Sequence, residues 1–424
     1  MKPLHHWPQP GPHTSSVQFS SLYLRIGVIV LFFSTLVVGC KDKVIEEMND
    51  SPQLTQKARN LLDQKFASYT LIDLTEANLF PQLEHLETGD KALITLPGID
   101  GRNWNMELER NNVVEQDFRW AEFDGTRIEE QSPMNIRTFH GHHEGGGPVT
   151  LTISQDFLAA RWEFQGETWS VAPIQALDKQ VTSWAVAFRD ADVRAQNSGT
   201  GSCLEIEQPD QPNHDPLTRS SGKTAQNCWQ IDVFVHGDYQ YLQQVNGQTN
   251  LAVFFMVASV NEASNKFRSI NVHLRVPSGF AFQNTAPDLL PYDASDLWER
   301  VRDFDNVILA GYDRDLTMFY TGRNMTSGGS SGVAGVAWTG ALCYNPTNAY
   351  GVSETINGFY NNRVQAHEFG HLLGAPHDTQ CPGGLMFPFV NHSCSGNYPS
   401  TNSKNAINWH LWFNHNCIHM APGC

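Results

Sequence analysis

Basic residues are scarce in this chain of 424 residues: 28 Lys and Arg stand against 44 Asp and Glu, a formal charge of −16 at neutral pH. That mean field repels phosphates and no Lys/Arg run offsets it, so nucleic acid is excluded as a partner. Charge of either sign is low, 17% against 40% hydrophobic residues, which excludes a disordered chain and reads as globular. Internal repeats are absent. Long apolar runs are missing apart from one, Ile26 to Val38 (IGVIVLFFSTLVV), which is short for a membrane span.

That run follows Arg25 and precedes a polar KDK, the layout of a signal-peptide core. Its end, VVGC, resembles a bacterial lipobox, which implies cleavage before Cys40 and a lipid on that cysteine. A core helix with an incidental cysteine is the competing reading. The polar stretch before Arg25 is long for a leader and suggests a translation start downstream of Met1. Lys41 resembles the residue that sorts such proteins to the outer membrane of a Gram-negative cell. The expectation is an exported lipoprotein, anchored through Cys40 at the outer membrane or cell surface, with extracellular release after processing as a variant of it.

The length suits two domains. Residues 1–39 read as the signal peptide and 40–193 as a β-rich propeptide domain. A helix is expected around Leu54 to Phe66, then strands starting at Ala92, Trp104, Val149, Ala159, Glu167 and Val181. Residues 194–226 lose all apolar periodicity and read as a flexible linker, with Arg219 and Lys223 in the setting proteases cut most readily; an uncut linker is equally open. Residues 227–424 alternate strand and helix as an α/β domain: a strand from Gln230, a helix from Leu251 to Lys266, strands from Ile270 and Asn306, a strand at Val333 to Gly340, and a helix from about Thr355 to Leu373.

That last helix contains HEFGHLLGAPHD, residues 367–378. His367 and His371 are one helical turn apart on one face, so both imidazoles can reach a single ion. Glu368 lies beside the first, where it can reach a metal-bound water without taking a coordination position. Gly374 can adopt the left-handed conformation that ends a helix, and the resulting turn returns His377 to the same ion. Three imidazoles with one open position are the donor set of a catalytic zinc; no cysteine lies at ligand spacing to close a structural one. Adding Gly374 and His377 at fixed spacing lowers the chance of a fortuitous H-E-x-x-H match by about two to three orders of magnitude.

H-E-x-x-H-x-x-G-x-x-H followed by methionine resembles the metzincin zinc proteases, with Met386 in GGLMFP as the Met-turn residue. The resemblance implies a mixed, mostly parallel twisted sheet with a long active-site helix, an apolar floor at Met386, one catalytic Zn2+ and an endopeptidase that acts on protein or peptide substrates as a monomer. Nothing in the sequence supports a structural Ca2+. It also implies that substrate pairs with an exposed edge strand over Gly335, Val336, Ala337 and Trp338. Asp378 after the third histidine is similar to reprolysins (adamalysin-like enzymes), which implies a Cys343–Cys417 bridge and a second pair Cys381–Cys394, leaving Cys228 and Cys424 as possible partners. The short loop to Met386 and the LMFP string are closer to matrixins, so the pairing stays open. A weaker similarity links residues 149–174 to reprolysin-type propeptides.

Cys203, just before the linker, could act as a cysteine switch that fills the open zinc position; a disulfide or a buried thiol are the alternatives. His140, His142 and His143 in HGHHEGGG read as a polar loop between strands. His410, His415 and His419 share no ligand spacing. Two other classes compete with a protease: a catalytically silent adhesion or binding lipoprotein that keeps the fold, and a structural zinc protein.

Overall fold

The computed structural model describes residues 54–98, 101–123, 128–194, 202–206, 227–282, 292–308, 312, 314–355, 362–380, 384–389 and 396–422. All of these lie in the compact unit Ser51–Cys424. The protein is mixed α/β, built on two large sheets.

Helix α1 (Gln56–Lys65) starts where the Thr55 hydroxyl accepts from Ala58 N at 3.0 Å. After it come β1 (Thr70–Asp73), the short helices α2 (Leu74–Ala77) and α3 (Leu79–Leu83), and strands β2 (Lys91–Pro97) and β3 (Asn103–Arg110). In β3, Trp104, Met106 and Leu108 alternate inward while Asn103, Asn105 and Glu107 face out, the period of a half-buried strand. Strands β4 (Val114–Phe123) and β5 (Ile128–Glu130) leave this sheet. Strands β6 (Arg137–His143), β7 (Pro148–Ile153), β8 (Leu158–Phe164), β9 (Glu167–Pro173) and β10 (Trp184–Arg189) return to it, giving the antiparallel order β1-β10-β9-β8-β7-β6-β3-β2.

The histidines expected in a loop are therefore on a strand. β6 forms because Phe139 is buried inward, and His143 is tied into the sheet, its Nε2 donating to Glu163 O at 2.8 Å and its Nδ1 accepting from Gly145 N at 2.9 Å.

The second sheet begins with β11 (Ser202–Ile206), a strand inside the stretch expected as a flexible linker. It continues with β12 (Asn227–Gly237), α4 (Tyr239–Gln244), α5 (Thr249–Phe267), β13 (Val272–Phe282), α6 (Ala294–Ile308), β14 (Leu316–Thr321), β15 (Met325–Ser327), β16 (Ser330–Trp338), β17 (Tyr350–Glu354), α7 (Asn362–Leu372), α8 (Thr401–Phe413) and β18 (His419–Pro422). The order is β11-β16-β17-β14-β12-β13-β4-β5, with β15 on β16 and β18 on β12. Five pairs in that order are parallel: β11/β16, β17/β14, β14/β12, β12/β13 and β13/β4.

Two sequence expectations need correction here. Asn306 to Ile308 end helix α6 and do not start a strand; Leu297, Trp298 and Val301 form its buried face and Val307 is left 75% exposed. The strand that follows is β14, whose six residues are all buried, as in a central parallel strand covered on both faces. The active-site helix is described from Asn362, with Thr355 outside it and residues 356–361 outside the described set.

One disulfide is present among the described residues, Cys343–Cys417, with Cα atoms 5.2 Å apart. Cys228 is also bonded, while Cys40, Cys381, Cys394 and Cys424 lie outside the described residues. Cys203 is a free, buried thiol, which removes the disulfide alternative for it. Among the described residues no helix is long and apolar enough to cross a membrane.

The boundary expected at residue 194 does not separate the two sheets, because β4 and β5 extend the second one. Val113, Val114, Phe118, Trp120, Phe157 and Ala159 share a buried cluster with α5, β12, β13 and α7. On α5, every residue from Leu251 to Ser264 is buried, since one side packs on β13 and the other meets the first sheet. Asn261 satisfies that second contact: its Nδ2 donates to Leu151 O at 3.1 Å and Phe139 O at 3.3 Å, and its Oδ1 accepts from Asn111 Nδ2 at 2.9 Å. An Asn261→Ala variant strands these buried partners and is expected to lower stability by about 2–4 kcal/mol, read as a reduced denaturant midpoint with unchanged slope.

Candidate metal centre

Helix α7 presents His367 and His371 on one face and stops at Gly374, whose φ of +99° is the left-handed conformation. Gly374 N donates to His371 O at 2.8 Å and Ala375 N to Gly370 O at 2.9 Å, the paired bonds of a Schellman ending. A side chain at 374 would also be blocked, since a Cβ there comes within 2.6 Å of His410 Cβ. The reversal brings His377 back to the helix. The three Nε2 atoms then stand 3.0 Å (His367–His371), 3.1 Å (His371–His377) and 3.1 Å (His377–His367) apart.

The outer nitrogens show which tautomer each ring carries. His367 Nδ1 faces Leu385 O at 2.8 Å and His371 Nδ1 faces Ala375 O at 2.8 Å; carbonyls only accept, so both rings carry their proton on Nδ1. His377 Nδ1 lies 3.3 Å from Glu205 Oε2. Three lone pairs therefore converge on one point. Burial holds His367 down to about 3 and His371 well below the usual imidazole range, with neighbouring rings adding to the effect. Burial also lowers His377, against the pull of Glu205 and Asp378. Neutral imidazoles are the metal-binding form.

These residues fit a zinc ion. Tetrahedral bonds of ~2.0–2.1 Å place neighbouring donor atoms about 3.3 Å apart, within a few tenths of an ångström of the observed triangle. Three histidines without a fourth protein ligand leave a position for a reacting group.

Around the triangle the expected residues take definite places. Met386 is fully buried under α7, and a Cβ on Gly370 would meet its sulfur at 2.3 Å, so glycine is required there. The same turn supplies Leu385 O to His367 and Met386 O to Asp378 N, at 2.9 Å. Asp378 accepts from the Ser400 hydroxyl at 2.8 Å and from Ser403 at 3.1 Å, tying the His377 loop to the start of α8. His410 is buried with Nε2 donating to Leu342 O at 2.9 Å, a packing residue.

Glu368 is fully buried beside the triangle, and neither carboxylate oxygen has a hydrogen-bond partner within bonding geometry among the described residues. It lies over Gly335 of β16, where a Cβ would come within 2.2 Å of Oε1. Burial raises its carboxyl well above the usual range, and Cys203 pulls the other way.

The edge strand is where expectation and structure part. Gly335 to Trp338 do not present an open edge: β11 covers it in parallel, Cys203 opposite Gly335, Leu204 opposite Val336, Glu205 opposite Ala337 and Ile206 opposite Trp338. The unpaired backbone groups of β16 recruit this segment, which is why a stretch without periodicity of its own is ordered as a strand. The Cys203 sulfur, a His367 ring nitrogen and a Glu368 oxygen lie within 4.8 Å of one another. Burial and the Glu368 charge push the thiol well up. Two residues on, Glu205 accepts from Thr339 Oγ1 at 2.9 Å and from His377 N at 3.2 Å, besides its approach to His377 Nδ1. Sequence reasoning missed Glu205; the signal was its i+2 spacing from Cys203, which puts both on one face once the segment is read as a strand.

Three converging imidazoles, two buried and one half-buried, beside a buried carboxyl can hold a metal ion next to a proton acceptor. Residues 228–409 match the reprolysin model of metallo-peptidase family M12, so that part of the chain is similar to reprolysin-like metallopeptidases. Among solved structures, metalloproteinase-II from Bacteroides fragilis is similar at 11% identity, covering 79% of this chain and 94% of that one with a TM-score of 0.47. A chaperone-substrate complex is similar at 16% identity, covering 45% of this chain and 35% of that one with a TM-score of 0.35.

Proposed function

We propose that this protein is a zinc-dependent endopeptidase of the metzincin type, exported as a latent precursor, with Glu368 as its general base. The observation that carries the reading is the convergence at 3.0–3.1 Å of three imidazoles held at Nδ1, His367 and His371 buried and His377 half-buried. His367, His371 and His377 would hold the ion, which when bound supplies an acidified water and a polarised scissile carbonyl. Glu368 would take a water proton on its carboxylate and return it to the departing amine; burial raises its carboxyl well above the usual range, which makes it a stronger proton acceptor. Gly335 keeps the space that carboxylate needs. Substrate would lie extended along β16 over Gly335 to Trp338, pairing backbone to backbone.

In the precursor, β11 takes that place. Cys203 sits against Glu368 and His367, and Glu205 grips His377 from the same face, so strand and side chains together exclude substrate and water. Removal of β11 after a cut in residues 207–226 opens the site. Upstream, the apolar run and VVGC support export with a lipid on Cys40, residues outside the described set.

Three measurements test this. After processing, Glu368→Gln should lower kcat/KM on an unfolded protein substrate by about 10²–10⁴-fold with zinc content unchanged, and chelation should abolish cleavage reversibly; zinc-loaded protein that cuts nothing sinks the proposal. In the uncut precursor, Cys203→Ser combined with Glu205→Ala should raise residual cleavage about tenfold or more, as expected for losing roughly 1.5–3 kcal/mol of charge-assisted contacts; unchanged latency removes β11 as the inhibitor. Metabolic labelling with a fatty acid should mark the wild-type chain and not Cys40→Ser, and equal labelling of the two would refute the anchor.

A further inference from the structure

The N-terminal region meets the second sheet at two places of very different character. At the active-site edge, β11 adds five residues to β16 on the outside of the sheet. At the other end, β4 pairs in parallel with β13 from Val276↔Val114 to Phe282↔Phe123, and β5 then covers β4, so β13 is an interior strand only because β4 is there. Phe118 and Trp120 of β4 are buried in the cluster that holds Phe254, Val257, Ile231 and Phe369. Phe157 packs at a tilt against Phe254 with ring centroids 5.3 Å apart.

Polar contacts tie the same face. Arg275 of β13 brackets Glu115 of β4 and Asp232 of β12, Arg161 reaches Glu262 at 3.3 Å, and Asn246 Nδ2 donates to Ala176 O at 2.9 Å. Helix α5 has no solvent-facing side from Leu251 to Ser264, because β6, β7 and β8 cover what the second sheet does not. Without the N-terminal region, a helix buried on all sides would face water on one of them, at about 25 cal/mol for each Å² of apolar surface uncovered.

We propose that a cut between β11 and β12 gives a two-chain particle: the N-terminal region stays docked through β4 and α5 as a permanent partner of the metallopeptidase domain, and β11 alone is released from β16. The role given to β11 rests on the protease reading above; the permanence of the β4 and α5 contacts does not. The interface so assigned is a β-augmented sheet end plus an apolar helix face, and its occupant is residues 54–194 of this same chain.

The test inserts a site-specific protease recognition sequence between Asn213 and His214 of the full chain. After cutting, the fragments should co-elute at the size of the intact protein and separate only in denaturant. Amide exchange in α5 should stay within about twofold of the uncut protein while that of β11 rises about tenfold or more. Fragments that elute apart without denaturant, or α5 and β11 loosening together, overturn the proposal. None of these readouts involves metal or catalysis, so an inactive protein would leave this result standing and would count only against the endopeptidase reading.

Discussion

Three imidazole lone pairs aimed at one point set the terms for everything near them. Each buried polar atom without a partner costs about 1–3 kcal/mol, so three of them unfilled would burden the fold by several kcal/mol. Zinc bound by a full structural set contributes roughly 10–16 kcal/mol at neutral pH, enough for a cation to outweigh that burden. The arrangement persists only if each ring is held from outside, and the anchors come from separate segments: the helix-ending loop through Ala375, the Met386 turn through Leu385, and β11 through Glu205. Gly374, Gly370 and Gly335 follow from the same demand, each standing where a side chain would displace the helix ending, the methionine or the carboxyl.

The anchors are not equivalent. His367 and His371 lean on backbone carbonyls that remain whatever happens to the N-terminal region. His377 leans on a side chain of β11, and its backbone N donates to the same carboxylate. The strand that covers β16 thus also holds His377. Taking β11 away opens β16 and frees one side of His377 in a single step, while Asp378, Ser400 and Ser403 keep its loop attached to α8.

Much of the site was legible in the sequence because helix geometry converts spacing directly into a shared face: His367, Glu368 and His371 needed only α7, and Gly374 only the rule that glycine takes positive φ. Strands with strict alternation, such as β3, were equally plain. What stayed hidden was tertiary in origin. β14 is buried on both faces and shows no period, and Asn306 to Ile308 read as a strand although they finish an amphipathic helix. The HGHH segment reads as a loop because it is polar and leads into a Gly run, although it pairs as β6 and His143 is tied into the sheet. β11 and Glu205 could not be read locally, because the strand exists only through its pairing with β16.

That pairing meets two opposed requirements. A substrate-binding edge must present free N–H and C=O groups, yet an uncovered edge is a template for pairing with other chains. A five-residue strand covers the edge from outside the main core: Cys203 joins a small satellite cluster with Ala334 and Val364, and Leu204 and Ile206 rest, partly buried, on the cluster of α6 and β16. β4, by contrast, carries Phe118 and Trp120 into the main core. Cover and core are therefore weighted differently between two strands of one region: β11 leans on peripheral clusters, and β4 enters the main one.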